Sequence, residues 1–301
     1  MYKMYVSLNF IISLIMNLPK QEKYIAYRFL YKIILLLFLI FSINITHGKT
    51  ISCQDINEVK ENIQNFLKNY DINEVLIIFD IDLTLTIPVH RAVQIPNILK
   101  HKDIFKKIKT NLTATQQDLF FSFATKLVEQ KLIESNTPDV LYSLQKLGIK
   151  TIALSAALTG SLAHIKKLEK WRYQTLKNLG IDFSSSFPSK DYIIFQDIPS
   201  YLGNYPVFYK GILSTNGRSS SKGNLLVNFL GKNKLVPKII ILVDDKKENI
   251  DDVRYALNLY NPNINFQGLE YLAGNRYTDG EISEVDFINF WTNCINKVQG
   301  Y

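Results

Sequence analysis

The sequence predicts an α/β fold with a Rossmann-like, doubly wound parallel sheet and a long helical insertion. Three short, almost wholly apolar runs lead to this prediction: Val75–Phe79, residues 149–154 and residues 238–243. Runs of this length and composition are typical of strands that are buried on both faces of a parallel sheet. Helical patterns separate the runs, and this alternation of strand and helix favours parallel pairing.

The other elements follow from the spacing of apolar residues along the chain. Ile56, Val59 and Ile63 recur at helical intervals and predict a helix over residues 53–70. The same reasoning predicts further elements, which are helices within residues 96–136, 140–147, 162–179, 223–230 and 249–260, and strands at residues 192–195, 207–213 and 264–269.

The first part of the chain has the features of a targeting segment. Residues 33–45 read IILLLFLIFSINI, follow a basic stretch and are followed by the small residue Gly48. Because this combination is typical of a secretory signal, we predict that residues 1–48 are a signal peptide and that the protein is exported, to the periplasm or beyond the cell. A spanning helix needs about 20 apolar residues, so we expect no stable membrane span after cleavage. An uncleaved tether is the alternative.

Composition excludes several classes of protein. A hydrophobic fraction of 47% and a charged fraction of 21% are typical of a globular domain. The net charge of +8 falls to +4 without residues 1–48, and such a mild, unclustered excess does not predict nucleic-acid binding. Two cysteines and four scattered histidines exclude a four-cysteine zinc site and argue against a histidine-based metal centre.

The two cysteines, Cys53 and Cys294, lie near the two ends of the predicted mature chain. Export would place them where disulfides persist, and domain termini often lie close together. A Cys53–Cys294 disulfide is therefore one hypothesis, and two separate buried thiols are the other.

Polar residues follow the predicted central strands at their carboxyl ends. Ligands of doubly wound sheets bind beyond this edge, so residues far apart in sequence are expected to meet there. The candidate site residues are Asp80, Asp82 and Thr84 after the first strand, Ser155 after the second, Lys222 at the start of a helix, and Asp244 and Asp245 after the third strand.

In order and spacing these motifs resemble those of the haloacid dehalogenase (HAD) superfamily of phosphohydrolases, and in particular a secreted bacterial HAD-like branch. The resemblance covers about residues 75–270. Its most specific parts are the Asp-x-Asp-x-Thr motif beginning at Asp80 and the acidic pair Asp244-Asp245. Ser155 and Lys222 fit the second and third motifs, which are less specific and gain weight from their order.

The resemblance implies a phosphomonoester hydrolase that works through an aspartyl-phosphate. Asp80 would attack phosphorus, and Asp82 would protonate the leaving group and then activate water. Ser155 and Lys222 would hold the phosphoryl oxygens, and Thr84 would brace the loop. The presence of Asp82 indicates phosphoryl transfer rather than the other chemistries of the superfamily.

The resemblance also implies a Mg²⁺ cofactor. Two carboxylates so close together repel each other, and Mg²⁺ prefers hard oxygen ligands. Asp80 and Asp244 would contribute carboxylates and Asp82 its backbone carbonyl, with Asp245 beside the metal.

Each motif alone has a simpler interpretation, as a turn, a helix cap or a solvated charge. Lys210 competes with Lys222 for the third motif, but it lies within a strand-like run, so we favour Lys222. The alternative for the whole protein is a non-catalytic HAD-like module that binds a host or envelope partner through its cap.

The domain boundaries follow from the long interval between Thr84 and Ser155, since a simple crossover needs far fewer residues. The resemblance implies that the excess, residues 88–138, is a helical cap on a HAD-like core of residues 49–87 and 139–301.

The cap would select the substrate, which is predicted to be phosphorylated but of no particular class. The sequence carries no signal for a particular oligomeric state. Four cap phenylalanines either line the inner face of the cap or form its own core, namely Phe105, Phe120, Phe121 and Phe123.

Overall fold

The computed structural model describes residues 50–126, 128–189 and 191–299, and its mixed α/β fold around a largely parallel sheet confirms the predicted fold class. The predicted signal peptide lies outside the described residues, so export stays a prediction. The strands of the described residues are β1 (Ile51–Cys53), β2 (Val75–Phe79), β3 (Thr86–Pro88), β4 (Gln130–Leu132), β5 (Lys150–Ser155), β6 (Tyr192–Ile194), β7 (Val207–Tyr209), β8 (Ile212–Ser214), β9 (Ile239–Asp244) and β10 (Asn265–Tyr271).

One sheet contains eight of these strands, in the order β1-β10-β9-β2-β5-β8-β7-β6. The pairs from β1 to β8 are parallel, whereas β7 pairs antiparallel with both β8 and β6. Every residue of β2 and β9 is buried. Burying one Ile or Leu side chain in this way stabilises the fold by about 1.5–3 kcal/mol, which explains why these strands are almost uniformly apolar.

Helices cover both faces of the sheet and produce two separate cores. Ile77 of β2 packs on one face with the helices Ile56–Leu67 and Thr137–Lys146, and Ile78 packs on the other face with the helices Lys222–Lys232 and Lys247–Tyr260. The helices of the described residues are α1 (Ile56–Leu67), α2 (Ile95–Lys100), α3 (Lys102–Lys109), α4 (Ala114–Lys126), α5 (Thr137–Lys146), α6 (Leu168–Asn178), α7 (Lys222–Lys232), α8 (Lys247–Tyr260), α9 (Ala273–Arg276) and α10 (Glu284–Gln299).

A helical insertion occupies most of the predicted cap, residues 88–138. It begins and ends at the antiparallel strand pair β3 and β4, and α2, α3 and α4 lie between these two strands in sequence. The rings of Phe105 and Phe120 pack against Trp291 of α10, and their centroids lie 4.7 and 4.8 Å from that of Trp291. These phenylalanines therefore form the core of the insertion.

The boundaries of the helical insertion differ at two places from those predicted for the cap. Helix α5 begins inside the predicted cap but packs in the same core as α1. Helix α10 belongs to the predicted core range, 139–301, but packs on α3 and α4 of the insertion. We call α2, α3, α4 and α10 together the cap unit.

The Cys53–Cys294 disulfide hypothesis is wrong in this structure, because both cysteines are free and buried. Cys53 ends β1 and packs with the helices on one face of the sheet, whereas Cys294 packs beside Trp291 in the cap unit. Burial raises the pKa of each thiol to about 11. The chain thus keeps two separate thiols, as the other hypothesis states.

Among the described residues, no helix combines the length and the apolar character that crossing a membrane requires.

Candidate functional site

The candidate site lies at the carboxyl edge of the sheet, where β2 and β9 end side by side. The chain proceeds from β2 to β5 and β8 in one direction and then crosses back to β9 on the other flank of β2. Such reversal points form the ligand-binding crevices of α/β sheets. Asp80 follows β2, Asp244 ends β9, and the N–H of Asp80 donates to the carbonyl of Val243 at 2.8 Å.

The loop after β2 folds tightly around one carbonyl group. The carbonyl oxygen of Ile81 accepts the N–H groups of Leu85 at 2.9 Å and of Thr86 at 3.0 Å. Leu83 has a φ of 66°, a left-handed conformation that is uncommon for leucine. The hydroxyl of Thr84 donates to Asp80 Oδ2 at 3.3 Å. This geometry places Thr84 as a brace for Asp80.

Gly274 in α9 supports the strained part of this loop. A Cβ atom at this position would lie 1.9 Å from the carbonyl oxygen of Leu83, a distance that no packed structure accepts. Only a glycine lets α9 approach the loop so closely. Gly274 is therefore a positioning residue for the loop that carries Asp80 and Asp82.

We expect Gly274→Ala to lower the free energy of unfolding by about 1–3 kcal/mol, the usual effect of overpacking. The matched control is Gly231→Ala in α7, where the nearest atom to a new Cβ, the Tyr260 hydroxyl, is 3.8 Å away. That change should leave stability equal or raise it by up to about 1 kcal/mol, because alanine favours helix. Urea denaturation measures both, and equal effects would contradict the role of Gly274.

Three aspartates, Asp80, Asp244 and Asp245, form a buried acidic cluster. One carboxylate oxygen of each lies within 4.8 Å of the others. Lys222, the first residue of α7, donates from Nζ to Asp80 Oδ1 at 2.5 Å and to Asp244 Oδ2 at 2.6 Å. These side chains are at most 6% exposed, so salt screens the ion pairs only weakly.

Burial sets the protonation behaviour of the acidic cluster. It raises the pKa of Asp80 to about 7, against the attraction of Lys222. Burial and the charge of Asp80 raise the pKa of Asp245 to about 8. Burial also lowers the pKa of Lys222, but the charges of Asp80 and Asp244 outweigh it and raise this pKa above its ordinary value. Three carboxylates against one lysine thus leave negative charge that is balanced either by bound protons or by a further cation.

The residues of the acidic cluster fit a divalent cation. Asp245 Oδ2 is buried and has no hydrogen-bond partner in the described part of the chain, which is rare for a polar atom in a folded protein. Asp244 Oδ1 is oriented by the Lys246 N–H at 3.0 Å and by Asn249 Nδ2 at 2.8 Å. Carboxylate oxygens are the ligands that Mg²⁺ prefers.

Asp82 lies outside the acidic cluster, although the resemblance implies that it contributes a metal ligand through its backbone carbonyl. Its carboxylate faces two basic residues. Lys126 Nζ donates to both oxygens at 2.9 Å, and Arg172 Nη2 donates to them at 2.9 and 3.0 Å. The side chain is 35% exposed, unlike the nearly inaccessible Asp80.

Of the remaining sequence candidates, Ser155 and Lys222 lie at the site and Lys210 lies elsewhere. Ser155 ends β5, next to β2, and its hydroxyl accepts the N–H of Ala157 at 3.2 Å, so its own proton is available to donate. Lys222 contacts the acidic cluster. Its competitor Lys210 lies in the turn between β7 and β8 and pairs with the exposed Asp191 at 2.8 Å.

Sequence reasoning missed Lys126, Arg172 and Asn249. Lys126 follows Phe123 at helical spacing, and Arg172 stands between Leu168 and Leu176 on the buried side of α6. A basic residue within an apolar helical stripe was the available signal for both. Asn249 carried no such signal, because its contact with Asp244 depends on the turn between β9 and α8.

Solved structures and curated relatives give the following likenesses. A solved structure of a conserved haloacid dehalogenase-like protein of unknown function from Agrobacterium tumefaciens str. C58 aligns with a TM-score of 0.32 and 14% identity, covering 73% of this chain and 98% of its own. An uncharacterized protein of Rickettsia prowazekii (strain Madrid E) is 30% identical over 264 residues, which are 85% of this chain and 86% of the relative. Another from Rickettsia bellii (strain RML369-C) is 28% identical over 279 residues, with 90% and 93% covered.

A family profile described as "Protein of unknown function (DUF2608)" matches residues 52–296. This range contains every described strand except the first residue of β1, and every residue of the candidate site. The chain therefore belongs to the DUF2608 family.

Proposed function

We propose that the protein is a Mg²⁺-dependent phosphomonoester hydrolase that works through an aspartyl-phosphate on Asp80. The observation that carries the proposal is the buried acidic cluster with Lys222, at the strand ends beside a second aspartate, Asp82. A purely structural ion pair has no need of three buried carboxylates, because each buried charge costs several kcal/mol of solvation. The order of motifs, which resembles that of HAD phosphohydrolases, supports the same chemistry.

In this proposal each residue of the site has a separate chemical role. A carboxylate oxygen of Asp80 attacks phosphorus, and the ester bond to the leaving oxygen breaks. Lys222 and the Ser155 hydroxyl hold phosphoryl oxygens and stabilise the negative charge of the transition state. Asp82 gives a proton to the leaving oxygen and later takes one from the water that hydrolyses the aspartyl-phosphate.

Asp80, Asp244 and Asp245 would hold Mg²⁺. When bound, the ion supplies positive charge that lets an anionic phosphate approach anionic Asp80. The residues of the chain supply the rest: Asn249 orients Asp244, Thr84 orients Asp80, and Gly274 supports the loop.

We expect the purified protein to release phosphate from p-nitrophenyl phosphate with Mg²⁺ and to lose about 100- to 1,000-fold in rate with EDTA, since a metal supplies several kcal/mol to such a reaction. Mg²⁺ should also raise the melting temperature, because it binds only the folded acidic cluster. Asp245→Asn should abolish that rise. No turnover on a broad panel of phosphomonoesters, with or without divalent ions, would contradict the proposal and favour the partner-binding alternative.

A further inference from the structure

The carboxylate of Asp82 is bound by more positive charge than it balances. Lys126 and Arg172 both contact its two oxygens, at 2.9–3.0 Å. No other ion pair of these two cations occurs in the described residues. One carboxylate is therefore shared by two cations, and neither cation has an ion-pair partner of its own in the described residues.

Both cations are buried, which makes their arrangement costly for a merely structural contact. The side chain of Lys126 is 6% exposed and that of Arg172 is 2% exposed. They come from different elements, since Lys126 ends α4 of the cap unit and Arg172 lies in α6. Buried charges are normally paired and fully hydrogen-bonded.

Arg172 is not fully hydrogen-bonded. Its Nε and Nη1 are buried and find no acceptor within the described ranges, so two guanidinium nitrogens are unused. Arg172 and Lys126 also line a narrow cleft, together with Leu158, Leu168 and Trp171. The cleft leaves about 10 Å³ for the centre of a water molecule, which is room for about one.

We propose that Lys126 and Arg172 form a binding site for a second anionic group of the substrate, a carboxylate or a phosphate on the leaving-group side. The inference rests on the proposed function, because Asp82 would protonate the leaving oxygen and its neighbours would then surround the leaving group. The substrate class is a compact, doubly anionic phosphomonoester, which here means one with a second anionic group besides its reacting phosphate.

The contacts of Asp82 show that this pair of cations accommodates an anion with two oxygens. A substrate anion that takes over Lys126 and one edge of the Arg172 guanidinium, Nη2 with either Nη1 or Nε, gives the buried arginine a second hydrogen-bonded nitrogen and releases an oxygen of Asp82 for the leaving group. Arginine suits this role because its planar fork binds carboxylate and phosphate through two parallel hydrogen bonds. The cleft lined by Leu158, Leu168 and Trp171 has room for about one water molecule, which favours a compact substrate over a polymer.

The test compares kcat/KM for substrates of similar size that differ in charge: 3-phosphoglycerate and glycerol 1,3-bisphosphate against glycerol 3-phosphate. We expect the wild type to prefer at least one doubly anionic substrate by about 10- to 100-fold, the usual effect of hydrogen bonds to charged groups. Comparing 3-phosphoglycerate with the bisphosphate shows whether the site prefers a carboxylate or a second phosphate. A ratio of kcat/KM values is independent of the fraction of folded enzyme.

Arg172→Gln and Lys126→Gln should each reduce this preference to about 3-fold or less, and Arg172→Lys should retain part of it. The matched control is Arg218→Gln, which removes an arginine that pairs with Asp118 of the cap unit at 2.7 Å, away from Asp82. It should keep the full preference. Circular dichroism verifies that each variant folds.

Three outcomes separate the inference from the proposed function. Turnover of all three substrates without a charge preference overturns the inference and leaves the phosphatase proposal standing. A preference that survives in both Arg172→Gln and Lys126→Gln also overturns it. If no substrate is turned over, calorimetry on Asp80→Asn decides: tighter binding of the doubly anionic compounds, lost in Asp80→Asn/Arg172→Gln, supports the anion site, and equal binding overturns it.

Discussion

Asp80→Asn should reduce turnover of p-nitrophenyl phosphate by at least about 1,000-fold, equivalent to about 4 kcal/mol of transition-state stabilisation. The amide keeps the size of the side chain but lacks the anionic oxygen that attacks phosphorus. Steady-state phosphate release in saturating Mg²⁺ measures the effect. The loss should not be rescued by raising the substrate concentration, because the missing interaction belongs to the chemical step.

The same substitution should leave the fold intact. Burial raises the pKa of Asp80 to about 7, which means that the folded protein favours the neutral carboxyl. A group whose pKa is raised by folding loses stability as the pH rises from its unfolded value, near 4, through its folded value. At pH 8 a neutral asparagine removes this penalty but deprives Lys222 of one partner. We expect the melting temperature to move by only a few degrees.

The variant Asp82→Asn distinguishes the proposed role of Asp82 from that of Asp80. The p-nitrophenolate leaving group needs little protonation, so the first step should survive better than in Asp80→Asn. Activation of water should fail, and the aspartyl-phosphate should accumulate. Intact mass spectrometry of the quenched Asp82→Asn enzyme should then show one added phosphoryl group, and Asp80→Asn should show none.

The surface variant Asp197→Asn is the control for removing a carboxylate, because its side chain is 81% exposed and its one ion pair within the described residues is with Lys232, at 3.6 Å. Its turnover should equal that of the wild type. Near-normal activity of Asp80→Asn, or phosphorylation of that variant, would contradict the role assigned to Asp80.

The central strands were predictable because their sequences reflect burial on both faces. Val75–Phe79 was predicted with its observed bounds, and β5 and β9 each begin and end one residue later than predicted. An apolar run of five or six residues is too short for a typical buried helix, and in a chain that alternates strand with helix it suits a strand covered on both sides. The order of these strands then placed Asp80 and Asp244 at one edge.

Shorter elements and the packing of the cap unit were not predictable in the same way. β1, β3 and β4 have three residues each, too few for a periodic pattern, and β4 lies in a range predicted as helix. The C-terminal helix α10 does place Phe287, Trp291 and Cys294 on one buried face. The sequence does not reveal that this face packs on α4.

Sequence reasoning named the candidate residues whose type and position together indicate chemistry. Aspartates after strands and a lysine at a helix start are informative by position, whereas the contacts of Lys126 and Arg172 with Asp82 join three distant segments. Gly274 is similar, since its close approach to Leu83 depends on the path of the chain after β10. Local patterns cannot encode such contacts, because they arise only when the whole sheet is assembled.

Lys222→Ala should lower the free energy of unfolding by about 3–5 kcal/mol in metal-free buffer near pH 8, because removal of one partner of a buried ion pair leaves unpaired charge. Its Nζ contacts Asp80 and Asp244, and both carboxylates are almost fully buried. Without the lysine the acidic cluster has three repelling carboxylates. Denaturant unfolding in EDTA measures the loss.

The loss should shrink as the pH falls. Burial raises the pKa of Asp80 to about 7 and that of Asp245 to about 8, so these groups take up protons in the folded state well above the pH at which the unfolded chain does. Stability therefore falls as the pH rises through this window. Lys222→Ala should be closer to the wild type at pH 5.5 than at pH 8.

Addition of Mg²⁺ and a control substitution at a second lysine make the Lys222→Ala test specific. Mg²⁺ should restore part of the stability of Lys222→Ala, because a divalent ion among Asp80, Asp244 and Asp245 replaces the missing positive charge. The control, Lys238→Ala, removes an exposed lysine that pairs with Glu74 at 2.7 Å and should cost at most about 1 kcal/mol. If Lys222→Ala proved as mild as this control at pH 8, the acidic cluster would be neutral in the folded protein. That result would remove the excess negative charge on which the inference of a bound divalent ion rests.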